Sequence, residues 1–183
     1  MPEVNTDLIR KATEGDEAVM SALYERYQED IYRYLYYRVS DRQAAEDLTS
    51  EVFVRMLRFI GNFKPPGSSF KAWLFQIARN LAIDHSRRMK VRNHLSLEED
   101  LIDQTDDLDE TVERRLNSET LAKALGKLTE EQRDVIIMRF VSGMPIAETA
   151  NALHKSEDAV KGLQRRALIA LRDILEDLEV AYG

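Results

Sequence analysis

The side chains with the clearest chemistry lie near the C-terminus, in "VKGLQRRAL". Lys161, Gln164, Arg165 and Arg166 stand at or beside the open side of a segment whose Val160, Leu163, Ala167 and Leu171 recur at helical spacing. Lys and Arg neutralise phosphate or pair with guanine, and Gln pairs with adenine. A good bidentate contact to a base discriminates by roughly 1–3 kcal/mol. A second basic set closes the stretch "FKAWLFQIARNLAIDHSRRMK", Phe70 to Lys90. It holds the one tryptophan, Trp73, and runs into Arg87, Arg88 and Lys90. Metal and covalent chemistry fit poorly. His85, His94 and His154 are the three histidines, they sit on different segments without ligand spacing, and there is no cysteine. No phosphate-binding glycine loop and no nucleophile elbow occurs. The plainer alternative is a solvated face for each basic run and core packing for Trp73.

The elements that position these groups read as helices throughout, an all-α fold. Asn5 or Thr6 can cap a first helix from Asp7 to about Thr13, ended by Gly15. Glu17 to Val39 follows, with Leu23, Tyr27, Ile31, Tyr34 and Leu35 at helical spacing. Ser40 or Asp41 caps a third helix, Arg42 to Phe59, whose apolar stripe is Ala45, Leu48, Val52, Met56 and Phe59. "GNFKPPGSS" is a loop, and Ser68 or Ser69 caps the Trp73 helix. One face of that helix is Phe70, Trp73, Leu74, Ile77, Ala78 and Leu81. Helix resumes at about Val112 to Leu125. Thr129 then caps "LTEEQRDVIIMRFVSG", which ends at Gly143. "PIAETANALHKSEDAVKGLQRRALIALR" reads as a helix-turn-helix: a short helix Ile146 to Leu153, the turn "HKS", and a second helix capped by Ser156. His154 stands where such turns often carry glycine; it either takes a positive φ or marks a different turn.

Length and composition bound the class. The 183 residues suit one medium domain or two small ones; charged residues make up 32% and glycine and proline are scarce. The absence of cysteine excludes disulfides and thiolate metal sites and fits a reducing compartment. No signal-peptide core and no apolar run near the roughly 18 residues of a membrane span is present, so a soluble cytoplasmic protein without membrane insertion is expected. The formal net charge is -7, yet it is segregated. Ten acids between Ser96 and Glu119 face only Arg114 and Arg115. The segments Lys71 to Arg92 and Lys155 to Arg172 are net basic, so two basic segments flank one acidic connector. That connector is expected to be a flexible tether that competes with phosphate for the basic faces.

In order along the chain, "LIRKATEGDEAVMSALYERY", "AAEDLTSEVFVRML", "FKAWLFQIARNLAIDHSRR" and "LTEEQRDVIIMRFVSGMPIAETANAL" resemble the successive motifs of the extracytoplasmic-function (ECF) sigma factors. These are the small promoter-recognition subunits of bacterial RNA polymerase, within the sigma-70 family. The resemblance covers about residues 7 to 90 and 115 to 175. It implies a sigma-2 helical domain over 1–92, an acidic linker over 93–113, and a sigma-4 helix-turn-helix domain over 114–183.

The resemblance also implies roles. Glu46, Asp47, Glu51, Phe53 and Arg55 match the segment that docks on the clamp of the polymerase largest subunit, and a carboxylate-rich face suits a basic partner. Phe63, Lys64, Phe70, Trp73, Arg79, Asn80, Asp84, Arg87 and Arg88 match the surface that reads and opens the minus-10 element. There an aromatic or polar pocket holds an unstacked base while Arg or Lys holds the backbone. Lys155, Ser156, Glu157, Lys161, Gln164 and Arg165 match the helix that enters the major groove of the minus-35 element. "VKGLQRRAL" departs from the commoner "VKSRLHRAR", with Leu163 where Arg is frequent and Gln164 where Leu is frequent. The helix from about Leu128 to Phe140 would approach the polymerase flap. The implied partners are core polymerase, promoter DNA and, as is common in the family, an anti-sigma factor; no cofactor is implied, and catalysis belongs to the polymerase. A free-standing DNA-binding regulator would leave the "AAEDLTSEVF" segment unexplained, and a helical adaptor would leave the basic segments unexplained.

Overall fold

The computed structural model describes residues 4–65, 69–95 and 112–182. Among them all regular structure is helical. Helix α1 (Thr6–Thr13) is capped by Asn5, whose side chain accepts from the Leu8 N–H at 3.0 Å. Helix α2 (Glu17–Val39) is capped by Asp16 and closes on Ser40, a left-handed residue at φ 56°. Helix α3 (Arg42–Phe59) is capped by Asp41 and runs into a 3-10 turn, Ile60–Asn62. Helix α4 (Phe70–Leu95) starts behind Ser69, whose hydroxyl accepts from the Ala72 N–H at 3.1 Å. Each such cap stabilises by about 1 kcal/mol.

The second half holds α5 (Val112–Gly126), α6 (Glu130–Ile136), α7 (Ile146–Leu153) and α8 (Glu157–Tyr182). Thr129 and Gln132 cap α6 reciprocally, as the sequence predicts. The helix expected to run on to Gly143 changes character on the way. Residues Ile137–Val141 form a π-helical turn, with the Ser142 N–H donating to the Ile137 carbonyl at 2.9 Å. Gly143 then takes φ 64° and ends the segment.

The acidic connector was expected over 93–113. Its edges are helical, because α4 continues through Leu95 and α5 begins at Val112. Residues 96–111, and with them most of the acids, lie outside the described residues, as do residues 66–68 of the proline-rich loop.

Packing follows the apolar stripes, with instructive exceptions. Helices α2, α3 and α4 pack on one another, while α8 receives α5, α6 and α7. Leu23, Ile31, Leu35 and Leu74 are fully buried, and each stabilises by roughly 1.5–3 kcal/mol. Phe59, expected in the α3 stripe, is exposed; Thr49, Phe53 and Ile60 are buried instead. The chain leaves α3 at Phe59, and the 3-10 turn brings Ile60 inward in its place. Helix α4 buries Ala72, Phe75 and Ala82 beyond its expected face. Helix α4 packs against α2, α3 and α7, and Phe75 meets the Tyr34 ring of α2. The π-helical turn also packs on α2, so the two halves share one continuous apolar core.

Candidate nucleic-acid interface

The α4 surface is built on an aromatic cluster. Phe63 and Phe70 are buried and Trp73 is half-buried. The Phe63 ring centroid lies 5.2 Å from Phe70 and 5.5 Å from Trp73, and Phe70 lies 5.5 Å from Trp73. Such offset and edge contacts stabilise the trio beyond its burial. Lys64 is exposed beside it. Residues seven, eleven and fourteen positions after Trp73 share its helical face. They are Asn80 and Arg87, both exposed, with the half-buried Asp84 between them. Arg88 is exposed next to Arg87. Of the three rings only Trp73 is partly open, and it adjoins a polar and cationic stripe that can hold a phosphate backbone, with Phe63 and Phe70 fixing it from the core.

Arg79 sits apart from that stripe. It lies about 100° round the helix from Asn80, and its Nε donates to the Asp134 carboxylate at 2.8 Å. Asp134 is fully buried where the halves meet. Its other oxygen accepts from the Tyr34 hydroxyl at 2.8 Å and from Arg38 Nε at 2.9 Å. Burial and the Asp134 charge push the Tyr34 hydroxyl well above its usual pKa. Burial pulls Arg38 down, but Asp134, Tyr34 and Glu130 outweigh it and leave Arg38 raised and firmly charged. The Arg38 Nη2 lies 3.7 Å from Glu130, close enough for an ion pair but without a hydrogen bond.

The helix-turn-helix forms with the predicted boundaries. His154 takes the left-handed conformation at φ 52°, ψ 42°, so the glycine-like turn is retained with a histidine in it. Ser156 caps α8 by accepting from the Ala159 N–H at 3.2 Å. Val160, Leu163 and Ala167 are buried, while Ser156, Glu157, Lys161, Arg165 and Arg166 are exposed along the outer face. Two expected DNA contacts are otherwise engaged. Lys155 Nζ pairs with Glu131 at 2.7 Å and holds that carboxyl below its usual pKa. Gln164 is half-buried, and its carbonyl accepts from Arg139 Nε at 3.0 Å. With Leu163 taking the buried place, Gln164 is turned toward α6 and the π-helical turn.

The α3 surface carries Glu46 and Asp47, both exposed, with Glu51 paired to Arg55 at 2.8 Å. Phe53 is buried, 4.8 Å edge-on from the Tyr24 ring. The exposed apolar groups beside these acids are Tyr24, Val54 and Leu57, which sequence reasoning missed. Their signal was available as large residues standing off the buried stripe. Asp134 was missed too. Its signal was a single carboxylate at the head of "DVIIM", in register with buried Ile137 and Met138.

Comparison with known proteins fits this geometry. Residues 23–92 match sigma-70 region 2, and residues 124–173 match sigma-70 region 4. The chain is 38% identical over 174 residues to the ECF RNA polymerase sigma factor BldN of Streptomyces coelicolor, covering 93% of this chain and 66% of BldN, just short of two thirds. It is 39% identical over 166 residues to SigX of Bacillus subtilis, covering 87% of this chain and 85% of SigX. The chain belongs to the ECF sigma factors of the sigma-70 family. The fold of CnrH, solved in complex with the cytosolic domain of CnrY, superposes with a TM-score of 0.73 at 25% identity and covers 93% of this chain and 96% of CnrH. This sigma factor is therefore a transcription initiation factor rather than an enzyme. It joins core RNA polymerase and directs promoter-specific initiation. The aromatic cluster lies within region 2, and the helix-turn-helix within region 4. Among the described residues no helix is long and apolar enough to cross a membrane, and no cluster of metal-ligating side chains occurs.

Proposed function

We propose that three surfaces divide the work of this sigma factor. Glu46, Asp47, Glu51 and Arg55 of α3 meet a basic surface of the polymerase clamp, with Phe53 supporting Tyr24 from beneath. Phe63, Phe70 and Trp73 hold an unstacked base of the minus-10 element. Asn80 and Asp84 offer hydrogen bonds to exposed base edges, while Lys64, Arg87 and Arg88 hold the backbone. Unstacking costs a few kcal/mol, which these contacts must return. Arg79 adds to that surface when Asp134 releases it. The outer face of α8 enters the major groove at the minus-35 element, with Lys161 and Arg165 reaching furthest. Ser156 and Glu157 stand at its leading end, and Lys155 and Gln164 contribute once freed from Glu131 and Arg139.

The observation that carries this reading is the aromatic trio adjoining the Asn80, Asp84 and Arg87 stripe. Core packing accounts for Phe63 and Phe70; the half-exposed Trp73 in line with Asn80, Asp84 and Arg87 is what a purely structural helix would not require. The division assigns 1–92 to core binding and minus-10 melting, 93–113 to the acidic linker, and 114–183 to minus-35 binding. The protein works in the cytoplasm, where polymerase and promoters are. An anti-sigma factor is a further partner, supported by the complex in which CnrH was solved with the cytosolic domain of CnrY. Run-off transcription with bacterial core polymerase on a promoter library tests the reading. Defined start sites preceded by two shared elements are expected; transcripts with no shared upstream element would contradict it.

A further inference from the structure

The seam between the halves is not a passive contact. Besides the Asp134 cluster, Arg133 Nη1 donates to the Arg38 carbonyl at 3.1 Å. Lys71 Nζ pairs with Asp30 at 2.7 Å and donates to the Ser142 carbonyl at 3.2 Å. Gln76 donates to the Asn151 carbonyl at 3.0 Å. These bonds hold α6, the segment before Gly143 and α7 against α2 and α4. By their names, minus-35 and minus-10 elements lie about 25 base pairs apart, or roughly 85 Å of duplex at 3.4 Å per pair. A compact chain of this length is a globule only about 40 Å across. With its halves docked, the molecule cannot sit on both elements at once.

We propose that Asp134 is the latch of a closed resting state, in which region 4 is docked on region 2 and Arg79 is withheld from solution. Tyr34, Arg38 and Arg79 are its catch. Opening separates Asp134 from all three, frees the two guanidinium groups and lets each half reach its own element. This rests on the reading of the two halves as binders of separate promoter elements. The position of Asp134 suits the role. One carboxylate from region 4 takes three donors from two helices of region 2, so the cluster forms only when the halves meet. Removing one member of a buried charged cluster leaves the others uncompensated. The latch is therefore sensitive to single substitutions that leave each half folded.

Two measurements test it on the full chain. The sequence has no cysteine. The pair Gln76→Cys and Asn151→Cys can therefore be bridged specifically by a cleavable bis-maleimide. The bridged protein is expected to lose at least nine tenths of run-off transcription with core polymerase and to regain it on cleavage. Bridged protein that transcribes as well as its cleaved form overturns the latch. If the unbridged parent yields no defined transcript, the proposed function itself has failed, and this inference falls with it. The second measurement is the affinity of fluorescently labelled protein for core polymerase. Tyr34→Phe keeps the ring against Phe75 and removes one hydrogen bond to a charged group. A mostly closed protein binds in proportion to its open fraction, so this variant is expected to bind core about tenfold more tightly. Asp134→Asn should gain more. Unchanged affinity in Tyr34→Phe with native helicity would show that the cluster holds nothing closed.

Discussion

Glu131 and Lys155 set up a test in which stability and DNA binding move in opposite directions. Lys155 Nζ lies 2.7 Å from Glu131, with the two side chains 27% and 48% exposed. At that exposure the pair contributes about 0.5–1 kcal/mol. Glu131 also stands in the first turn of α6, where a negative charge is favoured by a few tenths of a kcal/mol. Glu131→Gln is therefore expected to destabilise the fold by roughly 1 kcal/mol. The same substitution frees Lys155 for phosphate. Affinity for minus-35 duplex should rise about two- to fivefold, the equivalent of the lost pair. The salt dependence should steepen by up to about 0.9 in log–log slope, the value of one further neutralised phosphate. Denaturant unfolding reads the first effect, and fluorescence anisotropy at several salt concentrations reads the second. Acid should imitate the variant. Lys155 holds the Glu131 carboxyl below its usual pKa, so its stabilisation is present above the ordinary carboxylate range and is lost as pH falls through the lowered value. The difference between parent and variant should thus be full at neutral pH and shrink in acid. If Glu131→Gln weakens duplex binding, the pair positions Lys155 rather than restraining it, and the reasoning fails.

Three further substitutions probe the other elements. Arg165→Ala should weaken minus-35 duplex binding by roughly tenfold, as expected for one base-pairing or phosphate contact, while Asn80→Ala should impair strand opening, read by permanganate reactivity, more than closed-complex affinity. Equal effects of both on the closed complex would remove the division between the halves. His154→Gly should stabilise the protein by about 0.5–1 kcal/mol, because a side chain at φ 52° carries strain that glycine lacks, less the extra freedom glycine gives the unfolded chain; His154→Val melting as high as His154→Gly would contradict this. Leu23→Ala, at a fully buried position, should cost about 2–5 kcal/mol in denaturant unfolding, and a smaller loss would mean that α2 repacks freely.

How much of this was legible in the sequence depends on the range of the interaction. The caps, the helix-turn-helix boundaries and the Trp73 helix follow from residues within one or two turns of each other, and they stand in the structure as read. At His154 the sequence permits the left-handed turn without demanding it, because histidine tolerates that conformation whereas glycine advertises it. Errors begin where a third element decides. Phe59 matched its stripe, yet the turn after α3 left it in solvent; Arg79 lay off the stripe, yet Asp134 of the second half of the chain engages it. Gln164 had the right chemistry for a base, but Leu163 took the buried place and turned it toward Arg139. None of these outcomes has a periodicity of its own in the sequence.

The seam between the halves explains why its centre is charged. An apolar seam of the same size would close more firmly, since buried ion pairs are often no more stabilising than the hydrophobic residues that could replace them. It would also add to the apolar surface that the shared core already exposes whenever the halves part. Asp134, Arg38 and Arg79 regain water on separation, which offsets part of what their attraction loses. A charged centre thus makes the contact specific when shut and lessens the apolar surface bared when it opens. The surrounding core sharpens the contrast. Tyr34 is fully buried and meets Phe75 edge-on, so its hydroxyl is presented to Asp134 by a rigid ring rather than by a mobile side chain. The apolar residues around the cluster fix its geometry, and the charge at its centre leaves the contact reversible.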